Sequence, residues 1–448
     1  MNHTKTYFVP DMSSGHCRAA IAAEVGAVPG VESVEVDLDS KRVVVTGDGL
    51  DGDAIRAAIY DAGYEALESA DVPEHSTDVV VIGAGQAGLA MGHFLARQGR
   101  RFVILEAAEA VASAWRGRWD SLTLFTPRRY SGLPDLAFPG DPDTYPTRDE
   151  VIAYLEQYAA EFELPIEFSS VVRSVTKRDG RFLLELDDRR YEADQVVVAT
   201  GPFQQPRLPA PADELAADVT QMHSVGYRRP SDVPAGGVLV VGGGNTGFQI
   251  AEELSATHDV HLAIGSRQTP LPQRLLGRDL FWWLSKLGLL EKTVDSRFGR
   301  RARHRDTLIG SRPRQVKRRH GVELKPRAIG VSGRTVRFAD DSKLEVDAVI
   351  WATGYRSDYS WIDLPVLETD GRPRHRRGVT EIPGLYFLGL SWQHTRGSAL
   401  IGWVGDDAEF IVGEIEAAAS LATETSKNTN YESEHARLSD AAGAIEGV

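Results

Sequence analysis

The chain has 448 residues, of which 42% are hydrophobic and 25% charged, and its net charge is −14. That is the composition of a globular protein with room for two or three domains, and its acidic balance excludes a general electrostatic pull toward nucleic acid or anionic lipid. No apolar run approaches the roughly 20 residues of a membrane helix, and the stretch from Met1 to Lys5 lacks a signal-peptide core, so a cytoplasmic protein with no nucleic acid and no membrane partner is expected.

The first 68 residues read as a small separate domain. Lys5 to Pro10 is a strand, Ser13 to Val28 a helical pattern, Val31 to Asp37 and Arg42 to Thr46 a strand pair, Asp51 to Ala62 a second helix, and Tyr64 to Leu67 a last short strand. The order βαββαβ is the ferredoxin-like arrangement. Through residue 70 there are 5 basic and 12 acidic residues, so much of the chain's excess acid sits here. The polar run 69–77 reads as a linker. Over its whole length this segment resembles the heavy-metal-associated domains of copper chaperones and metal-pumping ATPases, including the loop Met12-Ser13-Ser14-Gly15-His16-Cys17. The family pattern is Met-x-Cys-x-x-Cys, and Ser14 stands where the first thiolate belongs. A soft ion wants two sulfur ligands. Cys17 therefore stays the one metal-ligand candidate, set against a protein-docking role in which the partner is a metal-transport protein.

After the linker, the buried run Val79 to Ile82 enters Gly83-Ala84-Gly85-Gln86-Ala87-Gly88, and further on Val238 to Val241 enters Gly242-Gly243-Gly244-Asn245-Thr246-Gly247. Each turn has the glycines that a pyrophosphate needs, for the tight turn, the close backbone approach and the helix packing. The strand after the first turn ends in Glu106, placed to accept from the hydroxyls of an unphosphorylated ribose, as FAD requires. The strand after the second ends in Ser266-Arg267, a hydroxyl and a guanidinium suited to the 2′-phosphate of NADPH. Cysteine usage closes one alternative, because flavoenzymes that reduce disulfides or mercuric ion need a cysteine pair and this chain has only Cys17. The basic residues from Arg297 to Arg319 read first as a solvated face. The apolar stretch Leu280 to Leu290 reads as a helix packed in the core, ahead of a lid or a membrane-surface patch.

From Asp78 to about Ala419 the chain resembles the flavin-containing monooxygenase family, in particular its bacterial CzcO-like members. The resemblance rests on the first glycine turn, on Trp115-Arg116, on Thr200-Gly201, on His223-Ser224-Val225-Gly226-Tyr227, on Ala352-Thr353-Gly354-Tyr355, and on Gly384 to Gly389. It implies that Trp115 and Arg116 contact FAD, that Ala112-Ser113 replace a glycine pair, and that Tyr227 marks the heteroatom-oxygenating branch. Downstream, Ser398 leads toward a helix over Trp403 to Ile411 whose start would face the flavin. Arg396 and His394 are candidates for touching cofactor or substrate, or are loop residues holding that turn. The implied chemistry is hydride transfer from NADPH to the flavin, O2 addition at C4a, and delivery of one oxygen from that peroxide to a soft sulfur, nitrogen or metalloid centre. An NADPH oxidase or reductase and a nucleotide-sensing partner of a metal transporter are the other readings, with oligomeric state open and a homodimer among the options. The expected fold is α/β, two Rossmann-type domains behind the ferredoxin-like one: FAD over 78–205 and 336–420, NADPH over 206–335, and a disordered tail at 421–448.

Overall fold

The computed structural model describes residues 3–9, 12, 14–38, 41–68, 74–266, 268–303 and 307–420. Arg267, residues 69–73 of the expected linker and the expected tail at 421–448 lie outside the described residues.

The N-terminal unit runs β1 (His3–Phe8), α1 (Gly15–Gly26), β2 (Val31–Asp37), β3 (Arg42–Gly47), α2 (Gly52–Asp61) and β4 (Leu67–Glu68), in one sheet of order β2-β3-β1-β4. Strand alternation puts Val43 and Val45 of β3 on one face, where they pack with Ile21 and Val25 of α1 and Ile55 and Ile59 of α2. This is the expected βαββαβ fold. Both helices start at a side-chain cap, Ser14 for α1 and Asp51 for α2.

The second unit opens with β5 (Glu74–Ile82), α3 (Gln86–Arg97), β6 (Phe102–Leu105), α4 (Ser113–Arg116), α5 (Arg148–Glu161), β7 (Ile166–Glu167), β8 (Ser174–Arg178), β9 (Arg181–Glu185) and β10 (Arg190–Val198). Its sheet runs β7-β6-β5-β10-β9-β8. Residues 74–77, expected in the linker because they are polar, are strand. They pair with Arg190 to Ala193 of β10, which extends the parallel ladder past the apolar run. Along β5, Val79 and Val81 enter a core with α3 and α5, while Val80 and Ile82 enter a second core on the opposite face. Each such buried side chain contributes about 1.5–3 kcal/mol. Packing on both faces is what an uninterrupted apolar strand signals.

The third unit runs β11 (Gln205–Pro206), β12 (Thr220–His223), β13 (Gly237–Val241), α6 (Asn245–Leu254), β14 (Asp259–Ala263), β15 (Thr269–Leu271), β16 (Arg274–Leu275), β17 (Arg278–Asp279), α7 (Leu280–Lys286), α8 (Arg297–Ala302), β18 (Thr307–Ile309), α9 (Pro313–His320), β19 (Glu323–Lys325), β20 (Ala328–Ser332), β21 (Thr335–Phe338), β22 (Lys343–Glu345) and β23 (Ala348–Trp351). Its all-parallel sheet has the order β12-β23-β13-β14-β19. The expected boundary at 335 therefore falls too early, because β23 lies inside this sheet between β12 and β13. Four consecutive buried residues, Ala348 to Trp351, make it an interior strand.

The chain then returns through β24 (Tyr355–Arg356), which pairs antiparallel with β11, and through β25 (Leu385–Phe387), which pairs parallel with the second half of β10. A final helix, α10 (404–420), packs Val404, Ala408 and Ile411 on the first core. The apolar stretch beginning at Leu280 is only partly core. Leu280, Phe281 and Leu290 are buried, whereas Leu287 is 63% exposed. Among the described residues no helix is long and apolar enough to cross a membrane.

Candidate functional site

The two glycine turns fold alike, and the reason can be read atom by atom. Gly83 and Gly242 adopt φ of +107° and +141°, a region that L side chains avoid. A Cβ on Gly83 would meet the Ala199 carbonyl oxygen at 2.8 Å, and one on Gly242 would meet that of Ala352 at 2.1 Å. A Cβ on Gly88 or Gly247 would lie 1.8 or 2.0 Å from the carbonyl oxygen of the turn's own first glycine. Gly85 and Gly244 differ, since a Cβ there meets nothing within 4 Å. The open side is where a phosphate chain would run.

The helix starts support this. The helices α1, α2 and α5 are capped by Ser14, Asp51 and Thr147, the last in a full capping box, whereas α3 and α6 begin at Gly85 and Gly244 with no side-chain cap. Their first N–H groups and the positive end of each helix dipole are left for an anionic ligand. Both turns fit a dinucleotide.

Glu106, 5% exposed at the end of β6, accepts from the Ala84 N–H at 2.7 Å with Oε2 and from the Ala108 N–H and Ser113 Oγ, both at 3.1 Å, with Oε1. Its carboxylate is thus held in place beside the first turn, and Ser113, which stands in for a family glycine, helps to hold it. Ala112 takes that glycine's left-handed conformation at φ +62°.

At the second turn the side-chain amide of Asn245 is spent on the backbone of β18. Nδ2 donates to the Thr307 carbonyl at 3.2 Å and Oδ1 accepts from the Ile309 N–H at 2.9 Å. Ser266 is exposed at the β14 exit and accepts from the Gln268 amide at 3.2 Å. Arg327, which sequence reading passed over, reaches the same exit and donates to the Gly265 carbonyl at 2.7 and 3.2 Å.

A cavity of about 150 Å³ lies between the turns. One wall carries Gln86, the first residue of α3, with Trp115, whose indole N–H donates to the side-chain Oε1 of Gln86 at 3.1 Å. The other carries Asn245, Thr246 and Gln249 of α6. Gln249 was not singled out from the sequence, although it sits one helical turn after Asn245 and so on the same face. Trp119, the segment from Leu122 to Thr126 and Ala399 to Ile401 complete the lining.

Arg116 is not among the lining residues. Its guanidinium donates to the Val111 carbonyl at 3.1 Å and pairs with Glu156 of α5, which ties α4 to α5. Ser398 is 1% exposed and its Oγ accepts from the N–H groups of His394 and Thr395 at 3.1 and 3.0 Å, so it shapes the loop. Burial, and then the charge of Arg377, lowers the pKa of His394 below the usual histidine value. The half-buried Arg396 donates to Thr307 Oγ1 at 3.5 Å, and among the described residues it has no carboxylate partner. Through Thr307 it lies next to Asn245 at the start of α6.

The two Ala-Thr-Gly segments mark the crossings between nucleotide units. Ala199 and Ala352 back the first glycines of the two turns, and just beyond them β11 and β24 form the connecting ribbon. Thr200 Oγ1 accepts from Gln204 at 2.9 Å, Thr353 donates to the Arg207 carbonyl, and Gly201 and Gly354 take φ of +71° and +81°. Gly389 lets β25's exit approach α3, where its Cβ would lie 2.8 Å from that of Ala87. The fingerprint residues brace the third unit. His223 Nε2 bonds to the Gly354 carbonyl at 2.9 Å, and the fully buried Tyr227 donates to Glu253 of α6 at 2.8 Å.

In the N-terminal unit Cys17 is 7% exposed, its sulfur lies 3.1 Å from Ser14 Oγ, and Tyr64 hydrogen-bonds to it. Among the described residues no three His, Cys, Asp or Glu side chains gather to hold a metal ion.

Comparison with known proteins agrees with this architecture. The heavy-metal-associated domain family matches residues 6–65, and the family described as pyridine nucleotide-disulphide oxidoreductase matches residues 80–274. With Cys17 the sole cysteine, the likeness to the latter is in the dinucleotide fold and not in dithiol chemistry. A CzcO-like oxidoreductase of Geobacillus kaustophilus is 47% identical over 344 residues, 76% of this chain and 99% of that protein. A probable indole-3-pyruvate monooxygenase of Arabidopsis thaliana, YUCCA7, is 31% identical over 380 residues, 71% of this chain and 84% of its own. The solved structure of a flavin-containing monooxygenase from Stenotrophomonas maltophilia is 30% identical with a TM-score of 0.66, covering 77% of this chain and 99% of that one. Behind a heavy-metal-associated domain, then, stands a flavin-dependent enzyme, and the chain belongs to the CzcO-like oxidoreductases of the flavin-containing monooxygenase family.

Proposed function

We propose that the protein is an FAD- and NADPH-dependent monooxygenase that places one atom of O2 on a soft heteroatom (sulfur, nitrogen or a metalloid) of a small molecule. The observation that supports this most is the shared cavity: Gln86 at the start of α3 and Asn245 and Thr246 at the start of α6 line the same space. Two dinucleotides seated on the two turns would bring their reactive rings toward it. Bound FAD and NADPH supply hydride transfer and oxygen activation, which is chemistry the cofactors carry themselves.

The chain's own part is to hold and to exclude. Glu106 would take the FAD ribose and the open sides of Gly85 and Gly244 the two pyrophosphates. Trp115, Leu124, Phe125, Leu400 and Ile401 present apolar surface to the cavity and keep water from it. Arg396 is a half-buried guanidinium with no carboxylate partner among the described residues, so an anion is its natural partner, and its place beside α6 favours a coenzyme phosphate. Burial favours the neutral form of His394, which can accept a proton near the same loop. Ser266 and Arg267 would recognise the 2′-phosphate, with Arg327 supporting their loop.

The deciding experiment is NADPH consumption under 18O2 with a panel of thioethers, amines and organoarsenicals, with peroxide quantified. Label in the product, in proportion to NADPH consumed, is the expected result. Quantitative conversion to peroxide with every substrate would make the protein an oxidase, and retained flavin without turnover would make it a sensor. Arg267→Ala is expected to cut the preference for NADPH over NADH by about 1–3 kcal/mol in kcat/KM.

A further inference from the structure

We propose that the hairpin and helix from Arg274 to Leu287 dock this protein on an anionic lipid surface. The net charge of −14 argues against such contact for the molecule as a whole. Charges more than about a Debye length away are screened, however, so a local patch acts on its own. Along and just beyond this segment Arg274, Arg278, Lys286, Arg297, Arg300 and Arg301 are exposed, against Glu291 and Asp295.

The apolar residues at the same place are set in an unusual way. The strands β16 and β17 form a two-stranded hairpin with Leu275 opposite Arg278, and its apex is Leu276-Gly277. Leu276 stands at φ +50° and is 83% exposed. A turn in water would take glycine or asparagine there, on grounds of both backbone strain and solubility. Leu275 beside it is 48% exposed, and Leu287 at the far end of α7 is 63% exposed. Two tryptophans complete the patch. The Trp283 indole N–H donates to the Leu275 carbonyl at 2.9 Å, the Trp282 ring lies 4.8 Å from it, and the Arg278 guanidinium sits 5.4 Å over the Trp282 ring.

Leucines at the apex, tryptophan rings behind them and arginines around them match the layered chemistry of a bilayer interface, with acyl chains innermost, then the glycerol zone, then anionic headgroups. The inner side of α7 is fully occupied, with the Phe281 ring stacked on Phe125 at 5.9 Å and next to Trp403 at 5.8 Å. The outer side is therefore free for a partner while the inner side holds the cavity wall through Phe125. The docking claim stands independently of the reaction assigned above.

The test is co-sedimentation of the full-length protein with vesicles of phosphatidylcholine alone or mixed with phosphatidylglycerol. Pelleting with the mixed vesicles, weakened by added salt, is expected. The pair Leu275→Ser with Leu276→Ser should lower the association by about tenfold or more, and Leu276→Gly, which suits the turn, should lower it with no cost to folding. Arg274→Glu with Arg278→Glu should abolish the preference for phosphatidylglycerol. All these variants should oxidise NADPH in solution at the parent rate, because none of the residues lines the cavity. Failure to pellet at low salt, equal pelleting of parent and leucine variants, or equal binding to both vesicle types would overturn the proposal. So would self-association that these substitutions abolish in the absence of vesicle binding, since the patch would then serve a second copy.

Discussion

Gly85 and Gly88 lie in one turn and fail in different ways when substituted. At Gly85 the Cβ direction is empty, so Gly85→Val leaves the protein folded and fills the pyrophosphate path instead. The expected outcome is a circular dichroism spectrum and melting curve like the parent's, with the yellow colour lost. Stoichiometric FAD in that variant would mean that the first turn does not hold the cofactor. At Gly88 the Cβ would sit 1.8 Å from the Gly83 carbonyl oxygen, so Gly88→Ala pushes α3 off β5 and should cost about 1–3 kcal/mol of stability, read by urea denaturation. The contrast separates a ligand-facing glycine from a packing one.

At the scale of elements, the fingerprint from His223 to Tyr227 acts as a brace. Tyr227 marks a family branch by resemblance, and in the structure its hydroxyl donates to Glu253 while its ring is buried against α6. Tyr227→Phe should therefore lower stability by about 1 kcal/mol, measured by urea denaturation, and leave the substrate spectrum unchanged. A shift in spectrum at unchanged stability would instead give Tyr227 a part in substrate choice. The ribbon of β11 and β24 is clamped in the same manner. Arg118 donates to the Tyr355 hydroxyl at 2.6 Å and lies 4.6 Å over the Phe203 ring, one contact on each crossing segment.

For the whole molecule, pH dependence rests on its buried histidines. The His223 Nδ1 accepts from the Val225 N–H at 3.2 Å, which leaves its Nε2 to donate to Gly354. Protonation would set one N–H against another. Burial is the first cause of its lowered pKa, and His375 and His394 are lowered by burial as well. A histidine whose folded pKa is lowered takes up a proton more readily when unfolded. Stability is then fully present above the ordinary value of 6.5 and falls as the pH drops through it. Melting temperature should decline from pH 7 toward pH 5, and His223→Gln should flatten that slope; an unchanged slope would remove His223 from the account. Modularity follows from the relatives. The Geobacillus kaustophilus protein is 99% covered by 76% of this chain, so a complete CzcO-like enzyme has no counterpart for roughly the remaining quarter. Deleting residues 1–70 should leave FAD content and NADPH oxidation intact, and loss of either would make the N-terminal domain part of the catalytic fold.

Features set by neighbours in the chain were legible in the sequence. The glycine turns, the apolar strands before them, Glu106 at a strand end and the βαββαβ order are local, because a tight turn, a strand period and a helix start each need only a few consecutive residues. Contacts between distant segments were not legible. That Arg116 would pair with Glu156, that Asn245 would be spent on β18, that Arg327 would reach the β14 exit and that β23 would insert between β12 and β13 depend on which surfaces meet once both sheets have formed. The polar stretch 74–77 shows the same limit, since its side chains looked like a linker while its backbone found a partner in β10. Composition averaged the charge over the whole chain and hid a basic, leucine-tipped hairpin, and only the tertiary structure, by burying Phe281 and leaving Leu276 outside, decided which apolar residues remained on the surface.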